Sequence, residues 1–152
     1  MAAIVARPAA IADVYALARA LRPGDRAEVE AMGKTPRHAL RYCFRHSLYP
    51  AQVCTVDGEV AAMWGLSGDV LSDMGEPWLL TGMAVERVPV SFIKIARAWV
   101  TDALAVKPKL EGYTLAEYVK AVRLLEGLGF RLDPPAPLGP RQALFRRFWI
   151  EA

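Results

Sequence analysis

Cysteine is scarce in this 152-residue chain: Cys43 and Cys54 are the only two, too few for a disulfide framework. No CxxC pair or His-rich spacing is present that would hold a metal, and the two thiols are expected to be buried and free, as in a reducing, cytosolic protein. No apolar run approaches the roughly 18 residues that a membrane span needs. The stretch from Met1 to Pro8 lacks a basic segment followed by a long apolar one, so no leader is expected. Dense Lys/Arg runs are missing too. With 19 basic and 16 acidic residues the formal charge is only +3, which makes neither nucleic acid nor a membrane the expected partner. Ser47, Ser72 and Ser91 have no His and Asp at a triad-like spacing, which leaves a hydrolase unsupported. What is present is core material: 54% hydrophobic residues, including four Trp, five Phe and five Tyr. Length and composition together describe one ordinary domain spanning residues 1–152.

The pattern along the chain alternates between two periods. Ala3 to Ala6 reads as a short strand, with Pro8 where a helix can begin, and Ile11, Val14, Tyr15, Ala18 and Leu21 recur at helical spacing. A short polar helix over Asp25–Met32 is expected to stop at Gly33. Thr35-Pro36 is a start signal for a further helix to about Ser47, with Arg37, Arg41 and Arg45 striped along one face. Gln52–Val56 and Val60–Leu66 flank Asp57-Gly58, a hairpin signal. After a polar loop, Trp78–Val85 reads as a central strand with a bulge at Gly82, followed by a helix from Pro89 to about Ala105. Lys109–Thr114 reads as a strand, and Thr114 to Glu117 as a capping box opening a helix that closes at Gly127. Phe130–Leu132 and Ala143–Ile150 are expected closing strands around the Pro-rich loop Pro134–Pro140. This order predicts an α/β (α+β) fold: a mixed central sheet with helices on both faces.

The opening Ile4 to Ala9 followed by Asp13, the Asp57-Gly58 hairpin, the strand running into the Pro89 helix and the ending Leu124 to Phe130 resemble, in order, the GNAT family of N-acetyltransferases. Within that fold, Leu21 to Gly33, Pro77-Trp78-Leu79-Leu80 and Arg146-Arg147-Phe148 look like small tailed-phage proteins related to an internal virion protein of short-tailed phages. The GNAT resemblance implies acetyl-CoA, held by a glycine-rich loop whose amides and helix N-terminus meet the pyrophosphate. The matching stretch here is Val85 to Ser91, so Met83, Val85, Arg87, Val90 and Ser91 are the residues that would hold acyl-CoA. Valines and Pro89 replace the glycines, and Glu86 adds a like charge. The backbone of Thr81 to Val85 offers a second grip, along the pantetheine arm. In the last helix the family's acid, a Tyr, falls on Leu125 and its Asn on Tyr118, with Ala121 between them.

Two functions are therefore open. One is a virion or assembly protein on a degenerate acetyltransferase-like scaffold, with no catalytic residue and no cofactor, found in the host cytoplasm during assembly and then in the virion. Its partners would be other proteins, phage structural proteins among them, met through Arg37, Arg41 and Arg45 or through the C-terminal Phe145 to Ile150, although the first set also reads as a solvated face and the second as a closing strand. The alternative is an active N-acetyltransferase using acetyl-CoA, with a base drawn from Glu76, Glu86, His38 or His46, each of which also reads as a surface residue.

Overall fold

The computed structural model describes residues 1–152. The chain begins with β1 (Ile4–Pro8), α1 (Ile11–Ala18), α2 (Pro23–Ala31) and α3 (Pro36–Arg45). There follow β2 (Gln52–Val56), β3 (Glu59–Ser67), β4 (Met74–Thr81), a 3-10 turn (Met83–Arg87) and α4 (Pro89–Val106). The last part holds β5 (Lys109–Leu115), α5 (Val119–Gly127), β6 (Arg131–Leu132), β7 (Ala136–Leu138) and β8 (Ala143–Glu151). The eight strands form one mixed sheet in the order β1-β2-β3-β4-β5-β8-β6, with β7 also on β8. Only β4 and β5 run parallel; the other neighbours are antiparallel. The expected mixed sheet, with the Trp78 strand inside it, is the fold observed.

Local chemistry accounts for most of these elements. Asp57 (φ 50°) and Gly58 (φ 82°) both take the left-handed conformation that a tight β2–β3 hairpin requires. The Thr35 hydroxyl accepts from His38 N at 3.2 Å, capping α3 as its sequence announces. One apolar cluster lies under α1–α3, with Val14, Leu17, Leu40, Val53 and Met63 fully buried. A second packs Cys54, Val56, Trp64, Val85 and Phe92 together, and a third is centred on Leu110, Phe130 and Phe148, the two rings edge to face at 5.2 Å. Cys54 is buried and Cys43 half-buried; burial pushes the Cys43 thiol up to about 11.

Several boundaries differ from the sequence expectation. Pro8 is the last residue of β1, opposite Gln52, and α1 starts after Ala10, whose N–H is held by the Asp13 carboxylate at 2.8 Å. β4 ends at Thr81, not Val85, because the link between α1 and α2 crosses it there. Arg22 N donates to Thr81 O, and Met83 N to Ala20 O, both at 3.0 Å. Gly82 serves this crossing and not a bulge: a Cβ on it would lie 3.0 Å from both Ala20 O and Leu17 Cδ1. No capping box forms at Thr114, which is buried in β5 opposite Arg146; α5 begins only at Val119. The Pro134–Pro140 loop contains β7. The C-terminal segment is β8, the expected closing strand, inner in the sheet, with Phe145 and Phe148 buried, Arg147 paired to Glu111 and Asp133, and Arg146, Trp149 and Ile150 half-buried.

The feature that matters most for function is the joint between β4 and β5. They pair only at Met74–Lys109 and Gly75–Leu110, and then diverge. Beside this joint the buried Lys107 ammonium donates to the carbonyls of Asp69, Val70 and Ser72, tying down the preceding loop.

Candidate functional site

Where β4 and β5 part, the sheet opens into a cleft of about 410 Å3, within the range of small-molecule sites. Of its 31 lining residues, 24 are hydrophobic. Phe92 and Trp99 of α4, Leu124 and Leu125 of α5 and Leu128 just beyond it form one wall, and Met32, Tyr42, Cys43 and Trp78 another. The polar lining is concentrated where α2 spans the open end of the wedge.

Two carboxylates one helical turn apart on α2 reach the two diverging strands. Asp25 is 3% exposed and accepts from Thr81 N (2.8 Å), Thr81 Oγ1 (2.7 Å) and the Tyr118 hydroxyl (2.5 Å). Arg22 Nε donates to Thr81 Oγ1 at 2.8 Å, lies 3.6 Å from Asp25 Oδ2, and its guanidinium sits 5.8 Å from the centre of the Tyr118 ring. Burial, with the Asp25 charge adding to it, holds the Tyr118 hydroxyl well above its ordinary pKa. Glu28, half-buried in the cleft, accepts from Leu115 N of β5 at 2.9 Å. Desolvation pushes its carboxyl up to about 7, with Asp25 adding to the rise and the Leu115 and Thr114 hydrogen bonds opposing it.

Two backbone and side-chain details complete the cleft. Thr81 turns its N–H and C=O away from β3, toward the gap, and both are occupied. By strand alternation Leu79, two residues earlier, also turns its N–H and C=O into the gap, where β5 no longer lies alongside. On the α4 side the indole Nε1 of Trp64 is buried without any acceptor. An unpaired buried donor of this kind costs about 1–3 kcal/mol.

The residues expected to hold acyl-CoA are scattered. Met83 and Val90 are exposed, Ser91 is half-buried, and Val85 is buried with the β3 side chains. Arg87 is turned back to the hairpin, donating to Glu59 at 2.8 Å and to Val56 O. Glu86 meets Lys120 at 3.1 Å and Arg22 at 3.8 Å. The amides of Thr81, Gly82, Met83 and Val85 all have partners, so that backbone is not a free grip. None of Glu76, Glu86, His38 and His46 lines the cleft. Arg37 stacks on Tyr15 at 4.5 Å, Arg41 is half-buried and Arg45 is exposed. Leu125 lines the cleft but carries no acid, and Tyr118, expected to serve in packing, has its hydroxyl on Asp25. Glu28 escaped the sequence reading. Its only trace there is the three-residue spacing from Asp25, an ordinary feature of a polar helix.

Comparison with solved structures places this geometry. The chain has a TM-score of 0.67 and 17% identity to yncA of Salmonella typhimurium, described as an acetyltransferase and solved with its cofactor acetyl-CoA, over 98% of this chain and 94% of that one. An acetyltransferase of the GNAT family from Streptococcus pneumoniae gives 0.64 and 12% over 98% and 99%. The ribosomal-protein-alanine N-acetyltransferase of Brucella melitensis gives 0.68 and 12% over 97% and 99%. The fold is the GNAT fold. At these identities the likeness is one of fold alone. No protein-family model and no curated protein matches the chain. The GNAT resemblance of the sequence reading is met at the level of the fold, and nothing in these comparisons shows its phage side.

Proposed function

We propose that the chain transfers an acyl group to an amine, with Glu28 as the base. The observation that carries this reading is a half-buried carboxyl in the wedge of a GNAT fold, with a pKa of about 7. An alkylamine reaches the site as an ammonium, with an ordinary pKa of about 10.4. A carboxylate poised near neutrality is matched to taking that proton, and Glu28 lines the cleft while accepting from Leu115 N.

The donor the fold implies is acyl-CoA, and the residues meet its two ends differently. The acyl end fits: the free edge of Leu79 and the apolar walls suit an extended thioester arm. The diphosphate end does not. Pro89 at the first position of α4 has no N–H to offer, Arg87 is held by Glu59, and Glu86 is a like charge. When bound, the donor supplies a thioester carbon and a thiolate that leaves. The chain's own part is to hold the acyl arm against β4, take the amine's proton on Glu28 and exclude water with the aromatic walls.

The test is thiol release with acetyl-CoA and a panel of primary amines, beside calorimetry of acetyl-CoA alone. Turnover is expected at high donor concentration, with binding no tighter than about millimolar, about −4 kcal/mol. No turnover with any amine would defeat the acyl-transfer reading; micromolar binding would show that the α4 loop holds the nucleotide after all.

The second reading is a phage virion or assembly protein, present in the host cytoplasm and then the virion, that works through contacts with phage structural proteins. The occupied amides around Thr81 and the poor phosphate site favour it. Its contact surface would be Arg37, Arg41 and Arg45, none of which is in an ion pair within the chain. Changing all three to Glu is expected to reduce incorporation into the native particle at least tenfold and to abolish its salt sensitivity. Unchanged incorporation of the folded variant would remove this surface from consideration.

A further inference from the structure

A second pocket, of about 430 Å3, opens where α1, α2 and the start of α3 meet, and it shares no lining residue with the cleft. Three arginines line it, one from each element: Arg19 at the end of α1, Arg26 of α2 and Arg37 of α3. No carboxylate lines it. The acids on the same helices are turned elsewhere, Asp13 to Arg7, Asp25 to Thr81 and Tyr118, and Glu28 to Leu115 N. Glu30 alone comes near, 4.0 Å from Arg26, and Arg19 and Arg37 are in no ion pair. Guanidiniums only donate, and the hydroxyls of Thr35 and Tyr15 in the same lining can donate as well. Thr35 Oγ1 already accepts from His38 N, which leaves its O–H to donate elsewhere.

Two further details fit the pocket to an anion. The Arg37 guanidinium lies 4.5 Å from the centre of the Tyr15 ring, a stacking that restrains its position before any ligand arrives. The first turn of α3 adds a backbone donor. Pro36 has no N–H, His38 N and Ala39 N are held by Thr35, and Arg37 N has no partner in the chain. A carboxylate offers two oxygens in one plane, enough for a single guanidinium fork. A phosphoryl dianion offers three terminal oxygens in a tripod, one for each arginine.

We propose that this pocket binds a phosphoryl group, as inorganic phosphate or as the phosphate of a small ester. The site rests on neither reading of the cleft. It also separates Arg37 from Arg41 and Arg45, which lie farther along α3 and outside the lining.

Inorganic phosphate and glycerol 3-phosphate are titrated into the full chain by calorimetry at fixed ionic strength, with glycerol as the neutral control. Binding of at least one phosphate is expected at about 0.1–1 mM. Tighter binding of the ester would identify a small phosphate ester as the ligand; tighter binding of phosphate would identify the free ion. Arg19→Gln and Arg37→Gln each remove one charge from an exposed side chain and are each expected to weaken binding about tenfold. Arg45→Gln removes the same charge outside the pocket and is expected to bind as the native chain does. The backbone amide of Arg37 is expected to shift in 15N–1H spectra as phosphate is added. No binding of either phosphate below about 10 mM would overturn the proposal, and so would equal losses in R37Q and R45Q, which mark general charge attraction. If R37Q does not fold, R19Q and the Arg37 amide decide: native affinity in R19Q, or an unmoved amide, overturns the site.

Discussion

Glu28→Gln is expected to lower the rate of amine acylation by about 10²–10⁴-fold, the usual worth of a positioned base. Gln keeps an oxygen to accept from Leu115 N, so the anchor to β5 survives while the proton acceptor is lost. The native rate is expected to rise with pH and level off above about 7, where Glu28 is deprotonated; the variant should show no such limb. Stability should move the other way. Because the folded carboxyl has its pKa raised from 4.5 to about 7, the folded chain holds a proton that the unfolded chain has released. Its contribution is fully present below about pH 4.5 and is lost as pH rises through about 7, at most about 3 kcal/mol. Relative to native, E28Q should therefore gain stability between pH 5 and pH 8 in denaturant titrations. An unchanged rate and pH profile in E28Q would place the base elsewhere.

Asp25→Ala should be the most damaging single change to the fold, costing about 3–5 kcal/mol, the range seen when one partner of a buried polar network is removed. Three donors lose their acceptor together: Thr81 N, Thr81 Oγ1 and the Tyr118 hydroxyl. Arg22, 3.6 Å from Asp25, loses its buried partner as well. For a chain of this length the loss corresponds to a fall of about 10 °C or more in Tm. Asp25→Asn keeps one oxygen for Thr81 N but sets an NH2 against the two hydroxyls, and should fall between native and Ala. Calorimetric unfolding of the three proteins checks the order; a loss below about 1 kcal/mol for D25A would show that α2 is held by something other than this carboxylate.

Elements governed by local chemistry were legible in the chain. The Thr35 cap, the Asp57-Gly58 turn and the 52–56 strand depend on neighbours in sequence, and each is found where its residues put it. The misread boundaries share one cause, a partner distant in sequence. β4 stops early because Ala20 and Arg22 take the backbone groups around its end, and the Thr114 capping box yields to a strand that pairs with Arg146. The cleft itself was illegible for the same reason: it arises from two strands that diverge after two residue pairs, and no residue pattern announces divergence. Glu28 looks like any solvated helix carboxylate until α2 is laid across that gap. Trp64 looks like a core residue, and is one, with a polar atom left over.

The divergence of β4 and β5 has a consequence for solubility. A sheet that splits in its middle acquires two additional edges, each a row of amides and carbonyls on which another molecule's extended chain can nucleate an aggregate. Here α2 closes both rows at their far ends. Asp25 occupies the Thr81 amide on one edge and Glu28 the Leu115 amide on the other, while the Met74–Gly75 joint seals the near end. The same two acidic side chains that make the site polar thus stand as stoppers against strand addition, each holding the amide from which a further strand would begin to pair.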